Sequence, residues 1–271
     1  MTFCICNEIF QDFPLERQFA AAAECGYGAI EIAPFTLAPS ITEVPGAERS
    51  RLVRLAEQNG LAIAGIHWVL VGPEGLHVTT SDAEVRARTV AYLKDLVRFA
   101  HDIGGSVIVF GSPAQRNVLE GVTLAEAKAR FAEAIRQCMS IPEAEGIRFC
   151  VEPLTSAITN LFTRAEEVRE FLRDLDDPRV RLILDCRSMS AEEDDLPATI
   201  RASREFLAHV HANDDNDLGP GYGSIDFRAI AEALRDIQYE GYVSVEVFDF
   251  SHDAIEMATR SLQTLREAFA T

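Results

Sequence analysis

The chain has 271 residues, a length that suits one α/β domain, and its 48% hydrophobic and 25% charged residues supply a core and exclude a disordered chain. With 25 lysines and arginines against 43 aspartates and glutamates, the formal net charge of −18 repels phosphate backbones and anionic lipid surfaces. No basic patch offsets it, no apolar stretch reaches the roughly 18 residues of a membrane span, and six cysteines without a CxxC pair suit a reduced, cytoplasmic setting, so neither nucleic acid nor a membrane is expected as a partner.

The first strand is expected over 2–7, where Cys4 and Cys6 share one face of a barrel wall; a helix follows over 15–25. The second strand, 29–34, carries Glu31 at its middle, where an inward acid needs a partner and serves either a structural ion pair or a pocket wall; the second helix covers 48–58. The third strand, 62–67, ends at His67 beside Trp68, the single tryptophan, and its helix spans 83–103 before the C-capping Gly104-Gly105. Strand four, 106–111, leads into Gln115-Arg116-Asn117 and a helix over 124–140. Strand five, 147–152, ends at Glu152 and is followed by a helix over 165–175. Strand six, 180–185, ends at Asp185, with Arg187 just beyond; the acidic run Glu192-Glu193-Asp194-Asp195 reads as a solvated loop before a helix over 196–206. Strand seven, 208–213, carries His209, read as a hydrogen-bonded core histidine, and His211; its helix is 227–237. Strand eight, 242–247, carries Glu246 before a last helix over 254–269. His77, His101 and His252 fall in loops or helices and read as surface residues.

Strict strand–helix alternation over eight units predicts a single (β/α)8 TIM barrel across 1–271. An open doubly wound sheet is the alternative, and the first strand–helix junction, Cys6-Asn7-Glu8-Ile9-Phe10, lacks the GxGxxG turn of its dinucleotide-binding form. Barrel active sites form where strands end, and Glu152, Asp185, His211 and Glu246 end four consecutive strands, each about one βα unit apart. One such acid could simply cap the next helix. Three acids and an imidazole converging in a water-poor mouth call for a cation, and a carboxylate-rich set suits Mn²⁺ or Mg²⁺, with Co²⁺ and Zn²⁺ compatible. Asn7, Glu8, Glu31, His67, Trp68, Arg116 and Arg187 are the candidates to line a substrate pocket above that site, Trp68 as a flat wall for a sugar ring.

At these residues the chain resembles the xylose isomerase-like barrel superfamily of sugar isomerases and epimerases. The segments that carry the resemblance are Val151-Glu152-Pro153-Leu154 with Thr159-Asn160, Leu184-Asp185, His209-Val210-His211-Ala212-Asn213-Asp214, the stretch from Gly219 to Phe227, and Gly241-Tyr242 before Val245-Glu246. The resemblance implies that Glu152, Asp185, His211 and Glu246 bind the metal, that Glu152 and Glu246 also move protons, and that the chain forms a homo-oligomer, although no helix shows an apolar face assignable to an interface. Ketose 3-epimerases place a substrate-binding histidine three residues after the aspartate ligand and an arginine shortly after the histidine ligand; this chain has Ser188 and Asp214-Asp215-Asn216-Asp217. The superfamily's DNA-repair endonucleases use many strand-end histidines, and neither Ser188 nor the net charge suits that branch.

The expected chemistry is therefore proton transfer beside the carbonyl of a keto-sugar or related polyol ketone, through a metal-stabilised enediolate. The alternatives are a metal-dependent lyase acting on a keto-sugar acid, with Arg187 or Arg116 holding the carboxylate, and a metal- or sugar-binding protein without turnover.

Overall fold

The structure, a computed structural model, describes residues 1–270. Eight parallel strands, β1 (Thr2–Cys6), β2 (Ala29–Ile32), β3 (Ala62–Ile66), β4 (Val107–Phe110), β5 (Arg148–Val151), β6 (Val180–Asp185), β7 (Leu207–Ala212) and β8 (Tyr242–Val245), close in sequence order, with β8 returning to pair with β1. The single (β/α)8 barrel expected from the alternation is the observed fold. The helices are α1 (Leu15–Cys25), α2 (Gly46–Asn59), α3 (Ala83–Asp102), α4 (Pro113–Arg116), α5 (Leu124–Cys138), α6 (Ala165–Leu175), α7 (Cys186–Glu192), α8 (Leu196–Ala202), α9 (Phe227–Asp236) and α10 (Ala254–Phe269).

Alternation along each strand divides the core in two. Outward residues such as Ile5, Ile30, Phe149, Val151 and Leu182 join the large apolar layer beneath the helices. Inward residues form smaller clusters, Cys4 with Ala29 and Ala64 on one side and Val107, Val109, Cys150 and Ile183 on the other. Cys4 and Cys6 are both buried, Cys4 within the inward cluster and Cys6 against Glu31 and Ser244, as their spacing predicts for wall residues. Gly65 is required where β3 meets β4, since a Cβ there would lie 1.9 Å from the Val107 carbonyl oxygen.

Caps set most helix ends where the sequence suggests. Asp82, Asp226 and Asp253 accept from first-turn amides of α3, α9 and α10, and Thr123 forms a capping box with Glu126 at α5. Two expectations need correction between β6 and β7. α7 is not among the expected helices, and α8 stops at Ala202 rather than running to 206. The acidic run is not simply solvated: Glu192 accepts from Ser156 N at 2.6 Å, Glu193 from Ala165 N at 2.8 Å, and Asp195 caps α8 through Ala198 N at 2.9 Å. Three of its four carboxylates thus tie down amides that begin helices or turns. No described helix is long and apolar enough to cross a membrane.

Candidate metal centre and pocket

The four expected ligands arrive from the ends of β5 to β8. Asp185 is the last residue of β6 and His211 lies within β7, while Glu152 and Glu246 stand one residue past β5 and β8. One ligand atom from each, carboxylate oxygens and an imidazole nitrogen, lies within 4.8 Å of all the others, and all four residues are buried. His211 Nδ1 is 3.0 Å from Glu246 Oε2 and 3.7 Å from Glu152 Oε1, yet it makes no hydrogen bond. A ring nitrogen aimed at carboxylates without bonding to them is the pose of a ligand that shares an ion with them. Gly111 makes room for this arrangement, because a Cβ there would meet Glu152 Oε2 at 2.3 Å.

Electrostatics agree with that fit. Burial raises the Asp185 carboxyl to about 7, and the neighbouring Glu152 and Glu246 carboxylates push it the same way. Burial works against a charged His211, but Glu246 and Glu31 outweigh it and drive the imidazole well above its usual range. A cluster that takes up protons when alone is one in which a divalent cation relieves the repulsion instead. Mutually repelling buried acids, an orphaned imidazole nitrogen and a carboxylate-rich donor set fit Mn²⁺ or Mg²⁺.

A second polar layer lies directly beneath. Glu31 accepts from His209 Nε2 at 2.8 Å and from His211 Nε2 at 3.3 Å, which leaves Nδ1 of His211 as the nitrogen that faces Glu152 and Glu246. Burial alone would raise the Glu31 carboxyl, but His209 and His211 hold it well below the usual range. His67 Nε2 meets Glu8 Oε2 at 2.9 Å; burial would depress this imidazole, and Glu8 reverses that and raises it to about 9. Asn213, two residues beyond His211 on the same face, donates to Asp185 Oδ2 and, at 3.5 Å, to Glu246 Oε2, and its own oxygen accepts from Arg187 N at 2.9 Å. The alternation that located His211 would also have located Asn213. Asp185 is two things at once, since its Oδ1 accepts from Ser188 N at 2.6 Å and caps α7.

Above the four residues opens a pocket of about 470 Å³. His67 and Trp68 line it, as expected, with Glu152, His211, Glu246 and Arg187. Trp68 is more than a wall: its backbone is left-handed at φ 53° and its Nε1 donates to Glu246 Oε1 at 2.8 Å, with the indole held between Phe35 and Phe248 at centroid distances of 5.6 and 6.1 Å. Arg187 pairs with Asp217 and lies 5.2 Å over the Phe248 ring. Of the two readings of Glu31 the ion pair is the one observed, with His209 and His211 beneath the four residues, and Glu31 does not line the pocket. One expectation fails on direction. Arg116 turns away from the pocket: fully buried, it donates to the main-chain carbonyls of Glu152 at 2.6 Å, Phe162 at 3.3 Å and Phe110 at 3.4 Å. Asn7 also works behind the pocket, bonding Gln18, Thr36 and Ala33 N, while Gln115 lines the pocket. His101 and His252 are exposed as read, but His77 is half-buried against Thr79.

The chain is 30% identical over 238 residues to D-psicose 3-epimerase of Agrobacterium fabrum, covering 83% of this chain and 76% of that one. It is 29% identical over 232 residues to D-psicose 3-epimerase of Ruminiclostridium cellulolyticum, covering 83% and 75%. L-ribulose 3-epimerase of Mesorhizobium japonicum is 27% identical, covering 86% and 75%. Among solved structures, D-psicose 3-epimerase in the presence of D-fructose superposes over 100% of both chains with a TM-score of 0.87 at 23% identity. The 3-keto-D-glucoside 4-epimerase of E. coli gives 0.84 at 22% identity, over 98% of this chain and 99% of that one. These last two share the fold. The xylose isomerase-like TIM barrel family model matches residues 19–268, from the first helix to the last, and this chain belongs to that family.

Proposed function

We propose that the chain is a divalent-metal-dependent epimerase of a ketose, with Glu152, Asp185, His211 and Glu246 holding the cation, Mn²⁺ in our reading. The observation that carries this is that Glu152 and Glu246 both line one pocket and each has a carboxylate oxygen within 4.8 Å of the other's and of the Asp185 and His211 donor atoms. Glu152, Asp185, His211 and Glu246 would hold the cation, which would supply Lewis acidity to a substrate carbonyl and its neighbouring hydroxyl and so ease loss of the α-proton. Glu152 and Glu246 are the groups that take that proton and return one to the opposite face of the same carbon. Trp68 holds Glu246 in position from one side and Asn213 from another. His67 pairs through Nε2 with Glu8 and holds that carboxylate in place beside the pocket. The curated relatives named for psicose and ribulose epimerisation at C3 point to C3 of a ketose as the carbon.

The lyase alternative loses its anchors. Arg116 is behind the wall and the charge of Arg187 is matched by Asp217, so neither offers a free cation to a substrate carboxylate. The test is proton exchange. The Mn²⁺-loaded protein, incubated in D2O with D-psicose, D-tagatose or L-ribulose, should place deuterium at C3 and give both C3 epimers, as read by NMR. Glu152→Gln and Glu246→Gln should each slow exchange by roughly 10²-fold or more. A protein that binds Mn²⁺ but exchanges no α-proton in any of the three sugars would sink the proposal.

A further inference from the structure

The barrel has a second open end, and its chemistry is the opposite of the first. Opposite the metal centre, at the amino ends of the strands, lies a cavity of about 570 Å³ whose wall includes Arg148, Arg181, Arg204, Gln238, Tyr239 and Glu240. Arg148 opens β5 and shares the inward face with Cys150; Arg181 pairs in register with Cys150 from β6, so both stems rise from the inner wall of the barrel. Arg204 reaches the same space from the turn between α8 and β7.

None of the three guanidinium groups is in an ion pair among the described residues. Arg181 donates to the Glu205 main-chain carbonyl, Arg204 to the Gln238 side-chain oxygen at 3.4 Å, and both acceptors are neutral. Arg148 makes no side-chain hydrogen bond within the described residues, and Glu240 stands exposed at the rim. Arg17, Arg49, Arg51, Arg164 and Arg179 lie against carboxylates while others, such as Arg116 and Arg169, bond only neutral acceptors; what sets Arg148, Arg181 and Arg204 apart is that they line one cavity. Arg148 and Arg181 start from neighbouring strands, where like charges repel; Arg148 and Arg204 are exposed to water, and Glu240 in the cavity wall and the Glu205 charge near Arg181 offset part of that repulsion. Burial holds the Arg181 guanidinium below its ordinary range, and the Arg148 charge acts in the same direction.

The geometry points to an anion site at the amino-terminal end of the barrel, in which Arg148, Arg181 and Arg204 bind a phosphate group. Planar guanidinium forks match phosphate oxygens two at a time, and three of them converging on one cavity fix a tetrahedral oxyanion from several sides. The volume falls inside the roughly 300–1,000 Å³ of small-molecule sites and exceeds what one free phosphate fills, so a phosphorylated metabolite is accommodated as well as inorganic phosphate. The site is separate from the metal centre, with the inward side chains of the barrel between them.

The experiment is isothermal titration of the Mg²⁺-loaded full chain with inorganic phosphate and with glucose 6-phosphate, against glucose and potassium chloride at matched ionic strength. Phosphate-bearing ligands should bind and glucose should not, and binding should weaken at least about tenfold in Arg148→Gln/Arg181→Gln and less in Arg204→Gln, with ketose proton exchange unchanged in all. Stronger binding of glucose 6-phosphate assigns the site to a phosphorylated metabolite, and equal binding assigns it to free phosphate. Should the double variant fold poorly, protection of Arg148 and Arg181 from phenylglyoxal by phosphate in the wild-type chain, read by mass spectrometry, carries the test. Equal affinity in wild type and variant, no heat up to about 10 mM phosphate, or a concentration-dependent dimer that the double variant abolishes while phosphate does not bind, would each overturn the proposal.

Discussion

Glu246 has a partner that residue type alone would not suggest. The indole of Trp68 is held in a left-handed backbone conformation, uncommon for a bulky side chain, and its N–H reaches Glu246 Oε1. A hydrogen bond to a charged group contributes about 1.5 kcal/mol or more, roughly a tenfold rate factor when it positions a group that reacts. Trp68→Phe keeps an aromatic ring but removes the donor, so kcat for the proposed epimerisation should fall about tenfold with KM changed less than about twofold. An unchanged kcat would reduce Trp68 to a wall. Arg116 shows how a correct position yields a wrong direction. It follows β4 as a pocket residue would, but the main chain of Glu152, Phe110 and Phe162 captures its guanidinium, and sequence spacing contains no signal for that. Arg116→Met removes the guanidinium from the Glu152 carbonyl, while the Phe110 and Phe162 carbonyls keep Glu152 N and Leu154 N as donors, and should cost about 2 kcal/mol in urea unfolding. It should also weaken metal binding, because the freed carbonyl belongs to Glu152. A stability loss with metal affinity intact would confine Arg116 to structure.

Among the elements, legibility followed length and periodicity. Helices such as α6 and α10, with long apolar faces, begin and end where the pattern places them. α7 has seven residues and two small serines, too short for a 3.6-residue period to register against the strand before it. Its start depends on Asp185, which the strand pattern marked as a candidate ligand and which also performs the competing role of helix cap. The two roles separate by substitution. Asp185→Asn keeps an oxygen for Ser188 N and removes a charge from a crowded acidic cluster. The metal-free variant should therefore be at least as stable as metal-free wild type, while Mn²⁺ affinity measured by titration falls at least about tenfold. Asp185→Ala should lose the same affinity and a further ~1 kcal/mol of stability through the missing cap. Equal metal-free stability of the Asn and Ala variants would show that the cap contributes nothing.

At the scale of the molecule the barrel stacks charge along its axis. Three arginines outside ion pairs line the amino-terminal cavity with Glu240 at its rim, apolar residues and cysteines fill the middle, and Glu31 with His209 lies beneath three converging acids. The four strand-end donors were legible because barrel topology turns sequence order into a circle; of the histidine–glutamate layer, Glu31's need of a partner and His209's place in the core were legible, but their pairing was not, because it depends on which atoms meet across strands far apart in the chain. A barrel closed around repelling carboxylates should depend on its cation for stability. A ligand bound only by the folded state at 100 times its Kd adds about 2.7 kcal/mol, and for a chain of this size each kcal/mol moves Tm by roughly 2–4 °C. Exhaustive chelation should thus lower Tm by about 5–10 °C, with Mn²⁺ restoring it. In Glu246→Gln, where one of the four donors is neutralised, chelation should move Tm by less than half as much. A chelated wild-type protein that melts at the same temperature as the loaded one would mean that the cluster is stable without an ion and that the proposed metal site is not occupied at the concentration used.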